Sequence, residues 1–380
     1  MDSHAGEPFR AEESPLSNVA RPEVRLRKIK LPSGRTLTAT PVFDSYWRFA
    51  CLRQEAFMRR VRKDPPPWSD DPVIAAHRFT NVYRASDRVS QFLIREVQND
   101  AEHSAEDLFF RTMLFKLFNR ISTWEQLDGS LGGVRWKAFS QARAEAVLDR
   151  LMAKHETVYS AAYIMPSPAF GAVRKHANHL RLLARMMEDN VAERVESAKK
   201  MEDVFKLLRG YPSLGDFLAF QLTIDLNYSK LTKFSEMEFV VAGPGAHDGI
   251  SKCFSDVDGL TAADVIKAVA ELAESEFKRL GLNFENLWGR DLQLIDCQNL
   301  FCEVGKYARI VHPEFAGESG RTRIKQRFTA EVRHLPDQMY PPKWLLSVPA
   351  QPSLVNACTK RPPVRQRSAQ LTLGEGVRPE

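Results

Sequence analysis

The sequence predicts one mainly α-helical domain carrying a small N-terminal β-hairpin. Three observations lead there. Apolar residues recur at helical spacing from Val42 onward, and the only alternating stretch is interrupted at Pro32-Ser-Gly34. Residues 207–226 read as two amphipathic runs separated by Gly210, Pro212 and Gly215.

The elements follow in order. Residues 1–22 are polar and are expected to be disordered, and residues 23–40 form a β-hairpin arm with Val24, Leu26, Leu37 and Ala39 alternating. Phe43, Tyr46, Trp47, Ala50 and Cys51 share one helical face, and Pro65-Pro-Pro67 stops that helix. Further helices are expected near 85–98, 137–153, 171–188, 193–209, 214–227 and 291–309. Ser104-Ala-Glu-Asp107 and Thr261-Ala-Ala-Asp264 are capping boxes, opening one helix through Phe118 and another to about Leu280. The helical domain spans 41–335, and 336–380 is a basic, proline-rich tail expected to be poorly ordered.

Composition narrows the class. The 380 residues are 43% hydrophobic, and no window of eighteen uncharged apolar residues exists to span a membrane. The N-terminus lacks the basic-then-apolar order of a secretory signal. Five cysteines, an odd number, suggest reduced thiols in the cytoplasm, and Cys297 with Cys302 lacks the second pair of a zinc or iron–sulfur site. The net charge of +6 is concentrated near the C-terminus, where residues 321–380 hold eleven Lys/Arg against four Asp/Glu. Arg321, Arg323 and Lys325 lie in its densest run, which is either a solvated face or a surface tracking phosphates.

Four stretches carry candidate chemistry. In 78–88, Arg84, Asp87 and Arg88 share a face if the segment is helical. They either tie helices together or, steadied by Asn81 and Asp87, present two guanidiniums to a phosphate. In 242–252, Gly243 and Gly245 allow close backbone approach and Lys252 faces an anion, although a plain connector fits equally. The Gly-Lys-Ser/Thr ending of a P-loop is absent. In 292–307, Asp296, Asn299, Glu303 and Lys306 form a polar stripe with Gln298 nearby, either a core network or a site wall. Finally, a turn holding Ser213 and Gly215 opens a helix whose unpaired N–H groups suit a phosphate, with Glu238 lying 23 residues after Gly215.

The last stretch resembles the helix-hairpin-helix of base-excision DNA glycosylases. A wider resemblance rests on ordered blocks: 79–88, Phe115-Lys-Leu-Phe-Asn119, Thr123-Trp124, Tyr211-Pro-Ser-Leu-Gly215, Ala242-Gly-Pro-Gly245 and Asp296-Cys-Gln-Asn-Leu-Phe-Cys-Glu303. Together they are similar to the α-glutamyl/putrescinyl thymine pyrophosphorylase family of amino acid:DNA transferases. Its domain is also labelled the helical domain of 5-hydroxymethyluracil (5-hmdU) DNA kinase, and it occurs in bacteriophages that hypermodify thymine.

The resemblance implies a glycosylase-like fold and a reaction in the cytoplasm. In that reaction an amino acid or polyamine displaces pyrophosphate from a pyrophosphorylated thymine in double-stranded DNA, after an upstream 5-hmdU DNA kinase has acted. It implies that Gly215, Ser213 and the basic run hold the strand, that the base leaves the stack, and that Arg84, Arg88 and Lys252, with Mg²⁺ as a candidate helper, neutralise pyrophosphate. Glu238 or Asp296 then takes the amine's proton, while Asn81, Gln298, Glu303, Gly243 and Gly245 contact substrate. Glycosylase action on a modified base, or DNA binding without catalysis, are the alternatives. Asp216-Phe217-Leu218 lacks the Schiff-base lysine of bifunctional glycosylases, and Glu238 stands where an aspartate is usual.

Overall fold

The computed structural model describes residues 26–99, 102–330 and 335–349. Strands β1 (Arg27–Lys30) and β2 (Thr36–Ala39) pair antiparallel with Arg27 opposite Ala39. Gly34, at φ 83°, takes the left-handed turn position that a side chain would strain. The hairpin is more than an arm. Ile29, Leu31, Leu37 and Ala39 are buried, and β2 pairs on its other edge with β3 (Phe254–Asp256), making a three-stranded antiparallel sheet.

Helix α1 (Pro41–Val61) starts where the Thr40 hydroxyl accepts the Val42 N–H and Pro41 presets the first turn. Its inner face buries Phe43, Tyr46, Trp47, Phe49 and Phe57, each stabilising by about 1.5–3 kcal/mol. Helix α2 (Pro72–Ala76) is capped by Asp71. The helix expected over 85–98 is instead a 3-10 turn (Arg84–Ser86), α3 (Arg88–Phe92) and a π turn (Leu93–Val97). It breaks at Asp87, whose backbone is extended (ψ 145°) and whose carboxylate accepts the Asn81 N–H.

The remaining helices are α4 (Ala105–Phe118), α5 (Ile121–Leu131), α6 (Gln141–Ala153), α7 (Lys175–Glu188), α8 (Val191–Ser197), α9 (Met201–Arg209), α10 (Asp216–Asn227), α11 (Pro244–Cys253), α12 (Ala262–Arg279) and α13 (Leu294–Val311). The capping box at Thr261 forms in full with Asp264, whereas Ser104 accepts the Asp107 N–H but the Asp107 carboxylate accepts the Trp136 N–H instead of closing the box. Helix α5 was not expected; tertiary packing of Trp124, edge-on to Phe115, and of Leu127 carries it. The run expected over 193–209 is two helices, divided where the Asp203 carboxylate caps the Lys200 N–H.

Helix α10 is buried on every side from Ala219 to Asn227 and forms the centre of the helical body. Ordered packing continues past residue 335. Tyr340 is buried, Trp344 packs edge-on against Tyr228, and Lys343 Nζ donates to the carbonyls of Ser229 (3.1 Å) and Thr232 (2.7 Å). The expected disordered N-terminus, 1–22, and the tail beyond 349 lie outside the described residues.

Candidate functional site

The polar groups meet where the segment Thr80–Asp87 crosses the centre of α10. Gln221 and Asp225 stand one turn apart on α10, so both face Arg84. Arg84 Nε donates to Gln221 Oε1 (2.9 Å) and Nη1 donates to Asp225 Oδ1 (2.8 Å) and to the Tyr228 hydroxyl (3.2 Å). From α4, Lys116 Nζ lies 3.2 Å from Asp225 Oδ2, out of line for a hydrogen bond, and donates to Asn119 Oδ1 (2.6 Å). All of these side chains are almost fully buried. Burial alone pushes the Asp225 carboxyl up, but Arg84 and Lys116 overcome it and hold the group below its ordinary range. Burial lowers Lys116, while for Arg84 the same burial is outweighed by Asp225 and the group is held above its ordinary value.

Asp296 joins this centre from α13. Its Oδ1 accepts the Arg84 backbone N–H (2.9 Å) and its Oδ2 caps α13 through the Gln293 N–H (3.1 Å). Burial, then the nearby Glu236, pushes its carboxyl up to about 7. Gln298 accepts from Gln221 Nε2 at 3.5 Å and donates to Cys302 Sγ at 3.3 Å.

A second polar group sits on the other side of the same segment. Arg53 Nη2 donates to Asn81 Oδ1 (2.5 Å), Asn81 N donates to Asp87 Oδ1 (2.8 Å), and Glu303 accepts the Thr80 N–H (3.1 Å) while pairing with Lys306 (2.9 Å). Burial raises the Asp87 carboxyl to about 6 against the opposing pull of the Asn81 N–H and Arg53. Thus Arg84, Asp87, Asn81, Asp296, Gln298 and Glu303 belong to one connected region.

Other expected site residues lie elsewhere. Arg88 is exposed, because the break at Asp87 turns it away from Arg84. Glu238 is exposed; the buried acid of that loop is Glu236, paired with Arg290 at 3.2 Å and raised by burial. Counting from Gly215 could not separate two glutamates two residues apart in an irregular loop. Lys252 is buried, with Nζ donating to Asp248 (3.2 Å) and the Gly305 carbonyl (2.7 Å), so its ammonium already has partners within the core. At Gly243 an added Cβ would lie 2.6 Å from the Phe217 ring, and at Gly245 2.9 Å from Cys302 Sγ. These glycines let α11 pack closely on its neighbours. In the α9–α10 turn the left-handed residue is Ser213 (φ 67°), while Gly215 has an ordinary φ of −69° with open space around it. Arg321, Arg323 and Lys325 are exposed on a segment without regular secondary structure. Among the described residues no group of three or more His, Cys, Asp or Glu converges to hold an ion. No described helix is long and apolar enough to cross a membrane.

Reading from sequence missed Asp225, Gln221, Lys116 and Glu236. For the first three the signal was polar residues inside apolar helices: Gln221, Thr223, Asp225 and Asn227 in α10, and Lys116 between Phe115 and Leu117 in α4.

The family model of the 5-hmdU DNA kinase helical domain matches residues 40–317. The chain belongs to that family. The matched range holds every member of the two polar groups. A 5-hmdU DNA kinase of Bacillus phage SP10 is 28% identical over 313 residues, which is 76% of this chain and 47% of the relative. The chain therefore spans about half the length of that relative. No solved structure matches, so the helix-hairpin-helix glycosylase fold has no structural relative behind it. The relative also corrects the expected reaction. It is a DNA kinase, not an enzyme that displaces pyrophosphate with an amine. The amino acid or polyamine donor and the separate upstream kinase lose their support with that reaction.

Proposed function

We propose that this helical domain serves the DNA side of 5-hydroxymethyluracil phosphorylation, a step in thymine hypermodification. It engages DNA carrying the modified base so that the 5-hydroxymethyl oxygen accepts a phosphoryl group. The family match across residues 40–317 carries this reading. The phosphate donor's cradle is not assigned to these residues, since no Gly-Lys-Ser/Thr follows any glycine-rich loop of the sequence. The exposed Arg321, Arg323, Lys325 and Arg327 supply the positive surface that a DNA backbone needs. The α9–α10 turn, opening a central helix towards solvent at Gly215, supports a glycosylase-like manner of gripping the strand.

Fluorescence anisotropy with duplexes identical except for one 5-hydroxymethyl group tests the reading. The expected result is at least fivefold tighter binding of the 5-hydroxymethyluracil duplex than of the thymine duplex. Equal affinity for both, or no DNA binding at 100 mM salt, overturns it.

A further inference from the structure

A hollow of about 440 Å³ opens beside the Arg53–Asn81–Asp87 group, within the size range of small-ligand sites. Its walls come from α1, the 67–79 segment and Phe328 to Ala330. Three of its residues are arginines, Arg53, Arg60 and Arg78, and none is an aspartate or glutamate. Among the described residues no carboxylate pairs directly with any of the three side chains, and the buried Arg60 Nε has no hydrogen-bond partner. Trp68, Phe79 and Phe328 add aromatic rings to the wall. Trp68 is fixed by its Nε1–H donating to the Asp64 carbonyl (2.8 Å), with Arg60 stacked 4.9 Å from its ring, and Phe328 lies 6.4 Å from Trp68 between centroids.

Burying these guanidiniums is costly. Burial lowers Arg53 to about 10, with Asp87 and Glu303 offsetting this from behind and Arg60 adding repulsion in front. Burial lowers Arg60 too. An anion beside Arg60 offsets that cost and screens its repulsion of Arg53, and guanidiniums grip phosphate bidentately.

The surroundings indicate what carries that phosphate. The basic run 321–327 lies against residues 76–78: Arg78 N donates to the Gln326 carbonyl (3.2 Å), Phe328 N donates to the Ala76 carbonyl (2.9 Å), and His77 bridges to Arg327. Arg321, Arg323, Lys325 and Arg327, all exposed, thus form an edge leading to the hollow's mouth.

We infer that this hollow is a nucleotide pocket, with the base against Trp68 and Phe328, its phosphate between Arg60 and Arg78, and the flanking backbone phosphates of a DNA strand along the 321–327 edge. The inference rests on the DNA-side reading and gives it a location.

Calorimetry on the full chain tests it with four probes: 5-hydroxymethyl-dUMP, its unphosphorylated nucleoside, ATP, and a single-stranded oligonucleotide carrying one 5-hydroxymethyluracil. The monophosphate is expected to bind at least tenfold more tightly than the nucleoside and to compete with the oligonucleotide. Arg60→Ala and Arg78→Ala should each weaken the monophosphate at least tenfold. Arg78 is exposed, so that variant should keep the wild-type melting temperature and remain informative if Arg60→Ala fails to fold. Equal affinity for nucleoside and monophosphate, or an unchanged Arg78→Ala, overturns the pocket. Displacement by ATP but not by the oligonucleotide overturns the strand assignment in favour of a free nucleotide. An oligonucleotide bound equally by wild type and both variants defeats the pocket but leaves the DNA-side reading standing; no oligonucleotide binding at all defeats that reading.

Discussion

Gly249 of α11 and Gly305 of α13 meet where the two helices cross: a Cβ built on Gly305 would lie 3.0 Å from Gly249 Cα. A Cβ at Gly249 would lie 2.0 Å from the Phe301 carbonyl oxygen, which is backbone and cannot swing aside. Gly249→Ala should therefore destabilise by about 3 kcal/mol or more, the upper end of overpacking costs. Urea unfolding checks this; a loss under about 1 kcal/mol would show that the helices separate easily. The same contact explains how the Gly305 carbonyl comes within reach of Lys252 Nζ.

Asp225 is shared by two buried cations, Arg84 and Lys116. Asp225→Asn strands both, and should cost about 3–5 kcal/mol, as breaking buried pairs does. Arg84→Met leaves Asp225 paired with Lys116 and should cost less. Should denaturation curves rank the two variants the other way, Lys116 would not be a true partner of Asp225.

Asp296 gives the fold a pH dependence. Its carboxyl is raised from 3.8 unfolded to about 7 folded, so the folded state binds the extra proton. Its contribution is fully present below pH ~4 and is lost as pH rises through about 7. Asp296→Asn should flatten the fall in melting temperature between pH 4 and 7. A wild-type and variant pair with parallel profiles across that window would contradict this assignment.

The exposed edge should act through charge alone. Arg323→Ala and Lys325→Ala should each weaken DNA binding and reduce the slope of log K against log salt by up to ~0.9, with melting temperature unchanged. Affinities measured from 50 to 200 mM salt decide this, and unaltered slopes would remove the edge from the interface.

Much of the architecture was legible because capping boxes and apolar periodicity are local. Ser104 and Thr261 announce α4 and α12 within four residues. Strand β3 was not legible, since three residues directly after α11 carry no periodicity and gain meaning only against β2. The candidate region was half visible. Arg84, Asp87, Asp296 and Glu303 stood out as polar clusters, but the group that balances Arg84 is on α10, over a hundred residues away in sequence. Arg60 and Trp68 drew no notice because their site needs Phe328 from the far end of the domain.

The sheet gains its third strand very late in synthesis. Thr40 N donates to the Cys253 carbonyl, and Ala39 pairs with Phe254, more than two hundred positions downstream. A ribosome adding ~5–20 residues per second leaves the aromatic side of α1 without its partner strand for about 10–40 s. Trp47, Tyr46 and Phe43 must wait through that interval facing water or a chaperone, so the yield of folded protein should depend more on translation speed and temperature than its final packing suggests.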